Sequence, residues 1–148
     1  MKFFNKKTQI IFISSLISLS LVFAPSATAA TNTYVNDCGT AQVKPTSLTQ
    51  FCADAGTGLS GIKWSSWNTK SATGTALYSE NDCTPNCAAG KIFSTKVNVT
   101  LSQPTTTHGH LYLMKVSFKP FTGTKFNLPK GSTKPNGGSN WIADFWRN

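Results

Sequence analysis

The stretch IFSTKVNVTLS, residues 92–102, decides the fold class of this chain. Its apolar side chains recur at every second position with polar ones between them, which is the period of a β-strand with one buried face. The face expected to be buried carries Phe93, Val97, Val99 and Leu101. We expect the strand to end at Gln103-Pro104.

The same alternation predicts four more strands, separated by turn-rich segments. They are Val43–Phe51, Leu59–Trp67, Ala72–Ser79 and His110–Lys119. In the last of them, one face is expected to carry Tyr112, Met114, Val116 and Phe118. Helical periodicity is nearly absent after residue 30. The predicted fold class is therefore all-β, a small antiparallel β-sandwich or barrel.

Residues 1–30 have the layout of a secretory signal peptide. Three lysines precede the apolar segment Ile10–Phe23, and the small residues Ala27-Thr28-Ala29 follow it. The apolar segment contains several serines and is shorter than the ~20 residues that a membrane-spanning helix needs. We therefore expect a bacterial, secreted protein, extracellular or associated with the cell envelope, with no transmembrane anchor after processing.

The four cysteines all follow the leader, and export favours disulfides over metal binding or catalysis. Four cysteines allow three pairings, which the sequence alone leaves open. The spacing favours Cys83 with Cys87 across a tight turn, and so Cys38 with Cys52. The alternative is a zinc site, but the chain has no Cys-x-x-Cys pair.

The composition changes after residue 122. Residues 31–122 are expected to form the disulfide-bridged β domain, and residues 123–148 a Gly/Pro-rich linker followed by an aromatic end. We expect Trp141, Phe145 and Trp146 to pack back on the domain, with 141–146 as a closing strand. An exposed, adhesive terminus is the alternative.

Few residues are suited to catalysis. His108 and His110 could ligate a metal or act as a base, although they also suit an ordinary polar turn. No nucleophile elbow, zinc-protease motif or phosphate-binding loop is present. We expect the aspartates near the cysteines to accept hydrogen bonds from nearby backbone N–H groups. No cofactor is expected.

Aromatic and basic residues suggest a binding function. Trp64 and Trp67 are three apart on one predicted strand and so should lie on opposite faces, which would leave one of them able to stack on a sugar ring. Without the three leader lysines, eleven basic residues oppose five acidic ones. The basic C-terminal third includes Lys115, Lys119 and Lys125 and favours anionic partners, although such lysines could also serve solubility alone.

Several short motifs follow one another between residues 37 and 102. They include Asp37-Cys38-Gly39, Trp64-Ser65-Ser66-Trp67 and a Cys-x-Pro-x-Cys-Ala-x-Gly core at 83–90. In this order they resemble a group of small secreted proteins of actinobacteria. The resemblance implies export, small size and disulfide bridges, but no activity. The lysine-rich leader and the aromatic tail depart from the pattern of that group.

The sequence thus predicts a non-catalytic binding module for an anionic cell-envelope polymer or a glycan, with no nucleic-acid partner and an oligomeric state left open. One alternative is a small hydrolase that uses His108 or His110 with a carboxylate. Another is a protein inhibitor that presents the Cys83–Cys87 turn to a protease.

Overall fold

A computed structural model describes residues 32–144, which form eight β-strands. The strands are β1 Thr33–Asp37, β2 Thr40–Gln42, β3 Leu48–Thr49, β4 Thr57–Trp67, β5 Ala72–Asn81, β6 Ile92–Thr107, β7 His110–Pro120 and β8 Asn140–Ile142. None of these residues forms a helix that is long and apolar enough to span a membrane. The predicted signal peptide, and Phe145 and Trp146 of the predicted closing strand, lie outside the described residues.

The strands form one curled, mixed sheet with the order β2-β1-β7-β6-β5-β4-β3. Neighbouring strands are antiparallel except β1 and β7, which run parallel. One edge of β7 pairs with β6. The opposite edge is shared by β1, which pairs with Leu111 and Tyr112, and β8, which pairs with residues from Lys115 to Ser117. The all-β prediction is confirmed, and the sheet has the shape of a half-barrel.

The strand prediction was wrong around residues 43–51. Only Leu48 and Thr49 of that segment are in a strand, and the neighbouring strands β1 and β2 were not predicted. Cys38 and Gly39 lie between β1 and β2 and both have positive φ, so they suit a tight two-residue hairpin turn. Short strands on either side of such a turn carry too few residues to show a period of two.

The expected end of β6 at Gln103-Pro104 was also wrong, because the strand continues to Thr107. Beyond Leu101, β6 has left its partner β5 and pairs only with β7. Proline is tolerated there because one side of the strand needs no backbone donor.

Val116 and Phe118 of β7 lie in the core as predicted, but Tyr112 and Met114 do not. Leu113 is fully buried in the core instead, whereas Met114 is half-buried and Tyr112 is buried outside the core cluster, against Tyr34. The change occurs opposite Gln103, which has a positive φ of 58° and interrupts the regular β6–β7 pairing. Strict alternation therefore holds on each side of this point but not across it.

Two bulges shape β4. Its inward residues are Thr57, Leu59, Ile62, Trp64 and Trp67. Their spacing is two, three, two and three, and each spacing of three coincides with a register shift against β5. One extra residue in a bulge returns the next side chain to the same face. Gly74 faces Trp64 across this irregular ladder, and a Cβ there would lie 2.5 Å from the carbonyl oxygen of Lys63.

The inner face of the curled sheet holds one hydrophobic core. Tyr78, Phe118 and Trp141 supply its large rings, and Tyr78 stacks on Phe118 with a centroid separation of 4.6 Å. Trp141 belongs to β8 and is only 5% exposed, so the segment after the Gly/Pro-rich stretch lies against the core.

Side chains and a disulfide join the two ends of the sheet. The Cys38–Cys52 disulfide links the β1–β2 turn to the residues after β3. The backbone N–H of Thr49 donates to Asp37 Oδ1 at 2.8 Å, and the indole N–H of Trp67 donates to the carbonyl of Thr33 at 3.0 Å. The two ends of the half-barrel are therefore linked by a disulfide and side-chain hydrogen bonds, without a continuous backbone ladder between its end strands.

Both predicted disulfides are confirmed. Cys83 and Cys87 are bridged across the loop between β5 and β6, and the described residues include no free cysteine. The zinc alternative is therefore wrong.

Candidate binding face

The outer face of strands β4 to β7 carries lysines among small polar residues. Lys63, Thr75, Asn98 and Lys119 are direct partners in successive ladders and form one row across the four strands. Because neighbouring strands are about 4.8 Å apart, the Cα atoms of the two lysines are separated by about 14 Å. We call the outward side of these four strands the basic face.

Two more lysines extend the basic face. Lys96 is exposed on β6, two residues before Asn98, and pairs with Leu77. Lys115 is half-buried on β7 and lies between Ser102 and Ile142 of the adjacent strands. The basic face therefore has four lysines.

No carboxylate balances these charges on the basic face. Glu80 is the one acidic residue in β4 to β7, and it is only 2% exposed on the inward side of β5. Several lysine ammonium groups on one face, with low-dielectric protein behind them, produce a positive potential that attracts anions.

A shallow groove runs into the basic face beside the first bulge of β4. Gly61 has a φ of +58° and is the residue where the chain bulges. The groove has a volume of about 430 Å³. Its lining includes Ser60, Lys63, Thr75, Leu77, Lys96 and Phe121.

The tryptophans do not belong to this face. Trp64 and Trp67 are half-buried, pack against the core and contact each other edge to face, with centroids 4.8 Å apart. Their predicted placement on opposite faces was wrong, because the bulge at Ser65 restores Trp67 to the side of Trp64. Both indole N–H groups donate to backbone carbonyls, that of Trp64 to Pro45 and that of Trp67 to Thr33.

The structure brings only some of the predicted binding residues together. Lys115 and Lys119 lie on the basic face, whereas Lys125 is exposed in the loop after β7. Sequence reasoning missed Lys63 and Lys96, although each occupies an outward position in a predicted strand. Strand alternation places both lysines outward, but only the pairing of the strands shows that they share a face with Lys115 and Lys119.

His108 lies in the hairpin turn between β6 and β7, and His110 is the first residue of β7. His108 and Gly109 both have positive φ, as a two-residue turn of this kind requires. His108 Nδ1 lies 3.2 Å from Thr107 Oγ1, and His110 contacts the ring of Tyr34 edge-on. Among residues 32–144, no three His, Cys, Asp or Glu side chains come together as a metal-binding group.

Three aspartates accept hydrogen bonds from backbone N–H groups. Asp54 binds Gly56 N, Asp82 binds the N–H groups of Thr84 and Lys91, and Asp37 binds the more distant Thr49 N. The backbone donors of Lys91 and Thr84 hold the pKa of Asp82 below its usual value.

The buried Glu80 accepts hydrogen bonds from the Tyr78 hydroxyl and the backbone N–H of Asn136. Burial raises the pKa of the Tyr78 phenol well above its usual range, and the hydrogen bond to Glu80 raises it further. Glu80 thereby connects β5 to the Gly/Pro-rich segment that follows β7.

The Cys83–Cys87 loop is exposed and is held by short hydrogen bonds. Asn81 accepts from Cys83 N at 2.9 Å through Oδ1 and donates from Nδ2 to Cys87 O at 2.7 Å. Gly90 packs tightly against Asn81 at the end of this loop, and a Cβ at position 90 would lie 2.0 Å from Asn81 Oδ1. The loop is a closed turn and not an extended segment.

Comparison with known proteins gave no relationship: no family model, no curated protein and no solved structure matches the chain. The resemblance to secreted actinobacterial proteins therefore stays a prediction from the sequence.

Proposed function

We propose that the protein is an exported, non-catalytic binding module whose basic face holds an anionic polymer of the cell envelope. The observation that carries this proposal is the presence of four lysines and no carboxylate on the outward side of β4 to β7. A polymer with repeated anionic groups can contact several of these lysines at once.

Export is supported by two independent features. The leader has the charged, apolar and small-residue order of a signal peptide. The domain also has two disulfides, which persist in oxidising compartments and are rare in the cytosol.

The spacing of the lysines favours an extended ligand over a single small anion. From strand geometry, the Cα atoms of Lys63, Lys96 and Lys119 are about 8 to 14 Å apart. One exposed ion pair contributes only about 0 to 1 kcal/mol, so useful affinity requires several contacts along one chain. Exposed charges are screened beyond ~8 Å at physiological ionic strength, so binding should weaken as salt rises.

A pull-down of the mature protein on purified cell walls tests the proposal. The test variant replaces Lys63, Lys96 and Lys119 by Gln, and the matched control replaces Lys44, Lys70 and Lys134, which are exposed and lie outside the strands. Both variants lose three positive charges. At low salt we expect retention of wild type and control and loss of the test variant, with urea unfolding used to show that all three are folded.

Two outcomes would reject the proposed function. If the two variants lost the same fraction of wild-type retention, net charge and not the basic face would cause binding. Failure of the wild type to bind cell walls or any soluble polyanion at low salt would remove the function altogether.

A further inference from the structure

We infer that the groove beside Gly61 is a subsite for one acidic sugar residue, so that the polymer is a polysaccharide with acidic sugars and not a polyphosphate chain. This inference rests on the proposed function and names the ligand class of the same face. It follows from what lies between the lysines.

The floor of the groove is apolar. Leu77 points outward from β5 and is 38% exposed, which is high for a leucine in the middle of a sheet. Phe121 follows β7 directly and lines the same groove. A chain of phosphates has no apolar surface to cover these side chains, whereas the C–H face of a sugar ring does, and such contact removes apolar area from water.

Hydroxyl groups lie beside this floor. Ser60 pairs with Leu77 across the β4–β5 ladder, and its Oγ lies 3.5 Å from the Leu77 carbonyl, at the long limit for a hydrogen bond. Thr75 is exposed on the same strand as Leu77. Hydroxyls both donate and accept, which suits the hydroxyl groups of a sugar ring.

Lysines flank the groove on two sides. Lys63 is on β4 and Lys96 is on β6, with β5 between them, so strand geometry separates their Cα atoms by about 12 Å. Flexible side chains on both sides can therefore reach one acidic group held over Leu77. The groove volume of about 430 Å³ lies within the range of small-ligand sites.

The test compares two polyanions that differ in their apolar surface. The probes are polygalacturonate, which is a chain of acidic sugars, and inorganic polyphosphate, with neutral dextran as a blank. Affinities are measured by titration calorimetry at low salt for wild type, Leu77→Ser, Lys63→Gln/Lys96→Gln and the control Val43→Ser. Val43 is 45% exposed and lies outside the strands, so it matches Leu77 in exposure only.

We expect Leu77→Ser to weaken polygalacturonate binding about fourfold, the effect of losing roughly one buried methylene, and to leave polyphosphate binding unchanged. The double lysine variant should weaken both, and Val43→Ser neither. Equal effects of Leu77→Ser on both polyanions, or no effect on either, would overturn the acidic-sugar subsite while the proposed function stands. Absence of wild-type binding to both polyanions would overturn the two proposals together.

Discussion

Removing the two disulfides separately should have unequal effects on stability. Cys38–Cys52 closes a sequence separation of 14 residues, whereas Cys83–Cys87 closes one of 4. In the chain-entropy account, these loops give about 3 and about 2 kcal/mol of stabilisation, because a longer loop restricts the unfolded chain more. The matched variants are Cys38→Ser/Cys52→Ser and Cys83→Ser/Cys87→Ser.

Urea unfolding measures the difference. With an m-value of about 1.5 kcal/mol/M, the unfolding midpoint should fall by about 2 M for the first pair and by about 1.3 M for the second. The first disulfide also joins the two ends of the sheet next to the Thr49–Asp37 hydrogen bond. We therefore expect amide hydrogen exchange at Thr49 to accelerate in the first variant and not in the second.

A larger loss of stability from the Cys83–Cys87 pair would refute this reasoning. So would unchanged exchange at Thr49 after removal of Cys38–Cys52, since the half-barrel would then stay closed without that link.

Two further predictions concern the core. Trp141→Ala should lower the free energy of unfolding by about 3 to 5 kcal/mol, because Trp141 is only 5% exposed. The control Ile142→Ala should lower it far less, because Ile142 is 37% exposed. Similar losses for the two variants in urea unfolding would argue against docking of β8. Burial raises the pKa of the Tyr78 phenol in the native protein, whereas in the unfolded chain the phenol loses its proton near pH 10. The native protein therefore has its full stability below pH 10 and loses stability as the pH rises above 10. Between pH 9 and 11 the wild type should therefore lose more stability than Tyr78→Phe, and parallel pH profiles would contradict the assignment.

The strands with long, regular alternation could be predicted from the sequence. In β6 the apolar positions from Val97 to Leu101 are fully buried, as the period of two requires. The end of β6 could not be predicted, because Pro104 is tolerated only where β6 has no partner on one side. The partner strand β5 does not extend beyond Ala72, which pairs with Leu101.

The bulges of β4 explain why the candidate site was predicted only in part. A single inserted residue changes the face of every side chain after it, and nothing in Ser65-Ser66 marks which residue is inserted. Strict alternation therefore predicts that one tryptophan lies on a binding surface, whereas both pack against the core. The lysines on β7 are predicted from the sequence, whereas Lys63 and Lys96 become candidates only because three ladders place them on the same face as Lys119.

Lysine footprinting tests the central claim, that the basic face is the binding surface, most directly. The mature wild-type protein is acetylated briefly with and without polygalacturonate, and the modification of each lysine is read by mass spectrometry. We expect protection of Lys63, Lys96 and Lys119 by the polymer and no change at Lys44, Lys70 and Lys134, with the protection lost at high salt. Uniform protection of all lysines, or protection confined to the loop lysines, would contradict a binding surface on strands β4 to β7.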